Sequence, residues 1–219
     1  MNRLFKNVAL AGLLILLTAL FVYWVEAEKE LSVLCSMFDE GTPLVEVTRT
    51  LDTGNLLTYE LNEGQLTADS PYNLYSTRCI LEFSDVDVVA SQTYEETVDI
   101  PLIILFIGTL LSVIFIFFQM LLALGFPLGI AAWGGEHKVL PGKLRLASVV
   151  SALIFGVAHT MLLVYLTGNR WLTDAYPLFA LIFLLSTFAN INSKSRWERR
   201  VMVPAAVILY LSFLVLSLG

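Results

Sequence analysis

Few side chains in this sequence have the types and spacing that chemistry needs. There are two cysteines, Cys35 and Cys79, and two histidines, His137 and His159. His159 stands within an apolar run and is followed by Thr160, with no Glu or Cys beside it, so it has no ligand set for a metal. With an unperturbed pKa of about 6.5, an imidazole changes charge after small shifts, which makes it a candidate proton-linked group. The plainer reading is a neutral His hydrogen-bonded across a helix pair. Gln119 and Asn190 lie in other apolar runs; with His159 and Thr160 they form a candidate intramembrane polar interface. His137 follows Glu136, but this pair lacks a nucleophile or metal partners, so acid–base work on a lipid is the weakest reading. The sequence therefore leads to no catalytic, metal or cofactor-binding residue, and the expectation is a protein that is not an enzyme.

The elements that position these residues follow from composition. Of the 219 residues 57% are hydrophobic and only 15% charged, with a mean hydropathy of +0.76. A soluble domain has roughly 25% charged residues, so an ordinary water-surrounded protein is excluded. The net charge of −6 argues against nucleic acid as a partner. That average hides an asymmetry. Between Glu26 and Asp99 stand 16 acidic residues against Lys29, Arg49 and Arg78, a formal −13, which leaves +7 on the rest.

Five stretches are apolar enough to cross a hydrocarbon core, which takes about 20 helical residues. They are Val8–Val25, Ile100–Leu124, Leu146–Leu166, Ala175–Ile191 and Val201–Leu218. The first follows Arg3 and Lys6 and is trailed by Val25-x-Ala27, so a cleaved signal is the alternative. Its length and its Tyr23-Trp24 end favour an uncleaved anchor. Arg3 and Lys6, then Lys138, Lys143 and Arg145, then Lys194, Arg196, Arg199 and Arg200 fall on one side if all five cross. Arg170 is alone in the short opposite loop. The expected topology is N-terminus cytoplasmic and C-terminus outside, in a bacterial inner membrane. Trp24, Trp133, Trp171 and Trp197 all stand at segment ends, as an aromatic belt requires.

The expected fold class is thus membrane all-α, with a small extracytoplasmic antiparallel β domain between the first two spans. Its divisions are an anchor over 1–25, the acidic domain over 26–99 and a four-helix membrane domain over 100–219. Within the acidic domain Pro43–Leu51, Leu56–Leu61 and Arg78–Val88 are β-rich runs separated by turn residues, and Leu57, Tyr59 and Leu61 alternate with polar neighbours. Cys79, Leu81 and Phe83 would share one face of a meander of four or five strands. On an oxidising side of the membrane Cys35 and Cys79 read as a disulfide, with two free thiols the alternative. Asp85 and Asp87, or Glu95, Glu96 and Asp99, offer oxygens to a cation but match no calcium loop; a solvated acidic face is the plainer reading.

Small residues recur at Ser148, Ala152, Gly156 and Thr160, at Gly108 and Ser112, and at Ser186 and Asn190. That spacing lets helices approach closely, and predicts a polar-lined interface among the second, third and fourth spans. Residues 125–145 are rich in Gly and Pro, so the loop is irregular or re-entrant, and its glycines match no nucleotide fingerprint. His137, Lys138, Lys143 and Arg145 could grip phosphates, or simply set topology. Further on, Ser195 and Glu198 are spaced as a capping box, and Pro204 is expected in the first turn of the last span.

Two runs carry a resemblance. Gly125-Phe-Pro127-Leu-Gly129, with Trp133, Gly134, Gly135, His137, Lys138, Pro141 and Arg145 following, and Asn190 to Pro204 (NINSKSRWERRVMVP) resemble signatures of a family of uncharacterised small bacterial integral membrane proteins. The resemblance covers roughly the C-terminal hundred residues and implies a bacterial membrane location and no particular activity. The acidic insert departs from the family's shorter members. The leading expectation is a non-enzymatic interaction or accessory protein, in contact with the lipid bilayer and with a protein partner through the outer domain or the helices. The alternative is a small transporter or channel, against which stand the few spans and the absence of mid-span charges.

Overall fold

A computed structural model describes residues 2–84, 87–170 and 172–218, with side chains from Val8 onward except Leu10. Asp85, Trp171 and the side chains of Arg3 and Lys6 lie outside the described residues. Among the described residues six α-helices and four strands follow in the order α1 (Asn2–Cys35), α2 (Leu44–Leu51), β1 (Thr58–Asn62), β2 (Gln65–Asp69), β3 (Thr77–Phe83), β4 (Val89–Glu96), α3 (Ile100–Leu124), α4 (Gly142–Leu166), α5 (Tyr176–Ile191) and α6 (Val203–Leu218). Among the described residues five helices are long and apolar enough to cross a membrane: Ala11–Cys35, Ile100–Leu124, Gly142–Leu166, Thr173–Ile191 and Glu198–Leu218. The chain divides into two compact units, Val8–Ile100 and one built on Pro101–Gly219.

In the first unit α1 does not stop where its apolar run ends. It continues through Glu26–Glu30 and delivers Leu31, Leu34 and Cys35 into a core with Phe38, Val47, Leu51, Leu66, Ala68, Leu81 and Val89. The sheet is an antiparallel meander in the order β1-β2-β3-β4. Leu66 faces Leu81 and Ala68 faces Cys79 across the β2–β3 pair, all four buried, so one face of the sheet rests on that core. Cys35 and Cys79 are joined as a disulfide with their Cα atoms 5.8 Å apart. Glu30 grips the end of the α2–β1 turn, accepting from the backbone N–H groups of Asn55 (3.0 Å) and Leu56 (2.8 Å).

Two expectations are corrected here. Pro43–Leu51 is a helix and not a strand: the β-branched Val45, Val47, Thr48 and Thr50 suggest β, but the buried positions are Val47 and Leu51, with Leu44 partly buried. Spacings of three and four residues close a helical face, whereas alternation would have exposed Leu44 together with Glu46. Arg78–Val88 is not a single run either; β3 ends at Phe83 and β4 opens at Val89.

In the second unit α6 lies at the centre, with Leu209, Ser212, Phe213 and Leu216 almost wholly buried. Gly108 of α3 faces Ser212, and a Cβ on Gly108 would stand 2.2 Å from the Ser212 hydroxyl oxygen. That hydroxyl shares its proton between the Ile208 carbonyl of its own helix at 2.9 Å and the Ile104 carbonyl of α3 at 3.1 Å, so the absent side chain permits a direct tie between helices. The last span was absent from the expected interface, yet it holds this contact. The α4 stripe is only partly covered: Ser148 is buried, Thr160 is exposed, and open space stands where a Gly156 Cβ would be. A ladder of rings, Phe115–Phe155–Phe183–Phe213, crosses α3, α4, α5 and α6 with centroids 5.1–5.7 Å apart.

Candidate functional site

The segment between α3 and α4 folds back on itself before α4 starts. Gly129 donates its N–H to the Lys138 carbonyl at 3.1 Å, and a Cβ there would meet the His137 carbonyl oxygen at 2.3 Å. Only glycine allows two backbones to pass at that distance. His137 and Lys138 thus contribute carbonyls to the fold while their side chains are exposed. Pro141 caps α4, its carbonyl accepting from Leu144 and Arg145, and the Arg145 Nε–H donates to the Leu140 carbonyl at 2.9 Å. Trp133, in left-handed backbone at φ 53°, donates its indole N–H to the buried Ser148 hydroxyl of α4 at 3.1 Å.

The two signature runs meet in space. Glu198 accepts from the Gly134 N–H at 2.9 Å, Ser195 donates to the Ile130 carbonyl at 2.9 Å, and Lys194 pairs with Glu136 at 2.9 Å. The Lys194 pair is exposed, and the ammonium holds the Glu136 carboxyl below the usual carboxylate range. Glu198 is different: only 5% exposed, it is a carboxylate set into an apolar bundle and spent on a backbone N–H. The expected capping box is therefore half formed. Ser195 accepts from the Glu198 N–H (3.4 Å), but the Ser195 N–H is taken by Ser193 and the Glu198 carboxylate reaches the loop instead. Pro204 is the second residue of α6, as expected, but it does not open the helical backbone. Helical backbone begins at Arg196, and residues Glu198–Met202 form a π-helical turn just ahead of the proline. A proline inside an α-helix collides with the carbonyl four residues back, and a wider turn relieves that collision.

Beneath the clamped loop lies a cavity of about 400 Å³. Phe115, Phe118, Phe155 and Phe183 form apolar walls, while Gln119, Ser151, Ser186 and Asn190 add polar groups and Trp133, Gly134 and Glu198 border it. The Asn190 amide contacts Ser186 at 3.4 Å within α5. The Gln119 side-chain oxygen is buried with no hydrogen-bond partner among the described residues. Such a group costs about 1–3 kcal/mol unless something donates to it.

The predicted intramembrane set is thus divided. Gln119 and Asn190 share the cavity. His159 stands apart from it, its Nδ1 2.9 Å from the Ser112 hydroxyl, a bond between α4 and α3. Thr160 donates to the Gly156 carbonyl of its own helix and is exposed. Sequence reasoning missed the loop-holding roles of Ser148 and Glu198. Glu198 carried one signal, as one of three acids outside the segment from Glu26 to Asp99.

In the first unit Glu28, Glu96 and Asp99 bring carboxylate oxygens within 4.8 Å of one another, and Glu95 is not among them; Glu95 and Glu96 are both exposed. Burial and then the neighbouring Asp99 raise the Glu96 carboxyl above its ordinary range. Burial, aided by Glu96, pushes the Tyr94 phenol up to about 12.

No protein-family model, curated protein or solved structure compared with the chain matches it.

Proposed function

We propose that this chain is a non-enzymatic, five-span membrane protein whose helical unit binds a single amphipathic membrane molecule in the cavity beneath the clamped loop. The observation that carries this is the Gln119 oxygen, a buried acceptor without a donor among the described residues, on the wall of a cavity whose apolar side is lined by phenylalanines. An apolar chain lying along Phe115, Phe155 and Phe183, with a hydroxyl or amide head donating to Gln119, answers both halves of that surface. The volume falls at the small end of ligand cavities, which run roughly 300–1,000 Å³. An accessory role fits the fate of the polar groups. Glu198, Trp133 and His159 each form bonds that join parts of the helical unit. Transport has less support, because His159 is engaged with Ser112 and Thr160 with its own helix.

The distribution of Lys and Arg supports a topology with the N-terminus and the 125–145 loop in the cytoplasm and the acidic unit outside, and the two signature runs support a bacterial inner membrane. The outer unit is then the part that a protein partner would meet.

The test is the lipid retained by full-length protein purified in mild detergent, identified by native mass spectrometry. One amphipath per chain is expected, lost from Gln119→Leu and from Phe183→Ala at unchanged folded yield. Protein that carries nothing beyond non-stoichiometric bulk lipid in both wild type and variants would overturn the reading.

A further inference from the structure

We infer that the loop Pro71–Tyr75 is a membrane-interface anchor, seating the outer unit on the headgroup region of the bilayer that α1 crosses. Its position relative to α1 is set by one contact. Tyr72 stacks on Tyr23 with ring centroids 5.4 Å apart and planes 24° apart. Tyr23 belongs to the last turn of the apolar run of α1, three residues before Glu26. The loop therefore hangs at the height where the hydrocarbon ends, beside the aromatic pair Tyr23-Trp24.

The backbone is committed to presenting apolar side chains there. Leu74 and Tyr75 are both left-handed, at φ 54° and 58°, a region that side chains with a Cβ seldom adopt. That conformation is held from within. The Tyr75 N–H donates to the Ser70 carbonyl (2.8 Å), the Tyr72 N–H to the Ser70 hydroxyl (3.2 Å), and the buried Asn73 amide to the Thr77 hydroxyl (2.5 Å). The outcome is exposure: Leu74 is 75% accessible, Tyr72 48% and Tyr75 49%. A rigid turn that displays a leucine and two tyrosines suits the amphipathic headgroup layer, where aromatic rings with a polar tip are favoured.

Two features that are costly in water, strained backbone and exposed apolar side chains, thus coincide in the loop that stacks on the end of the apolar run of α1. The inference rests on α1 crossing the bilayer.

Nitroxide labels on introduced cysteines test it in the full chain, with the Cys35–Cys79 disulfide intact, in phosphatidylcholine–phosphatidylglycerol vesicles. Leu74→Cys and Tyr75→Cys report on the loop, and their exposure means that substitution removes no core packing. Asn62→Cys, exposed at the end of β1 and paired with Gln65 at the end of β2 away from the loop, is the aqueous control. Leu17→Cys, on the exposed side of α1, is the bilayer control. The ratio of relaxation by oxygen to relaxation by a water-soluble nickel chelate is expected to be several-fold higher at 74 and 75 than at 62. Values at 74 and 75 equal to 62, with Leu17 oxygen-rich, would overturn the anchor and leave the crossing helix standing; the loop would then be a surface for a protein. A nickel-accessible Leu17 label would overturn both.

Discussion

Glu198 accepts a hydrogen bond from the backbone N–H of Gly134 at 2.9 Å, across 64 residues of sequence and from a side chain that is 5% exposed. A buried carboxylate is costly to desolvate, and this one offsets that cost by holding down a loop whose own conformation needs an acceptor. Replacing it with alanine leaves the Gly134 N–H unpaired, a loss of about 1–3 kcal/mol. Glu198→Gln keeps a carbonyl oxygen at the same reach and is expected to lose less than half as much. Unfolding of the two variants in detergent, followed by circular dichroism, checks this; equal losses would mean that charge rather than the acceptor matters.

Gly129 is the second point on which the loop depends. A methyl group there meets the His137 carbonyl, so Gly129→Ala must push the two loop strands apart. The expected cost is about 1–3 kcal/mol, in the range of overpacked interiors. Because Trp133 is fixed to Ser148 by the same loop, its emission, read with the other tryptophans replaced by phenylalanine, should red-shift as the indole is released to water. Faster tryptic cleavage at Lys138 would accompany it. A variant with wild-type cleavage rates would show that the crossing is not tight.

How much of this could be read in the residues depends on the range of the interaction that fixes each feature. The spans are set by local hydropathy, so Ile100–Leu124 and the other four runs were legible. The meander was legible in the alternation around Leu57–Leu61 and Cys79–Phe83, because one buried face imposes a period of two. Pro43–Leu51 was misread because propensity and period disagree in it, and the core chose the period. The clamp was hidden for a different reason. A capping-box spacing at Ser195 and Glu198 is satisfied locally on paper, and nothing in sequence says that the carboxylate will turn instead to a glycine 64 residues away. The position of Gln119 on a cavity wall depends on four helices at once, and the packing of α6 against Gly108 was equally out of reach.

The Cys35–Cys79 disulfide closes 44 residues of chain and ties the end of α1 to the middle of the sheet. In the chain-entropy account a loop of that length stabilises the fold by about 4 kcal/mol. A neighbouring tie supports the joint, since the Gln92 amide donates to the Cys35 carbonyl at 2.6 Å. Cys35→Ser with Cys79→Ser is therefore expected to make residues between Leu44 and Glu96 protease-sensitive while the helices of the second unit stay protected. Mass mapping of the fragments checks it; unchanged protection of the sheet would show that the core alone suffices.

The crowding of Glu28, Glu96 and Asp99 gives the first unit a dependence on pH with a definite sign. Burial and the Asp99 charge raise the Glu96 carboxyl above its ordinary value of about 4.5 in the folded state. Between the unfolded and folded values the folded chain holds more protons than the unfolded one, so stability falls as pH rises through that interval. Below the ordinary value both states are protonated and this group makes no further difference. The contribution therefore runs opposite to that of a salt-bridged carboxylate: the first unit should resist denaturant better near pH 5 than near pH 7. Glu96→Gln removes the charge that is being disfavoured, so it should raise stability at neutral pH and flatten the slope, with little effect at pH 4. Because Glu96 is partly solvated, solvent screening limits the size of the change to a modest fraction of the total. Urea titrations of wild type and Glu96→Gln across pH 4–8, read from protection of the β-sheet amides, measure the slope. A wild-type slope of the opposite sign that Glu96→Gln also abolishes would mean that Glu96 is ionised and favourably paired in the folded state.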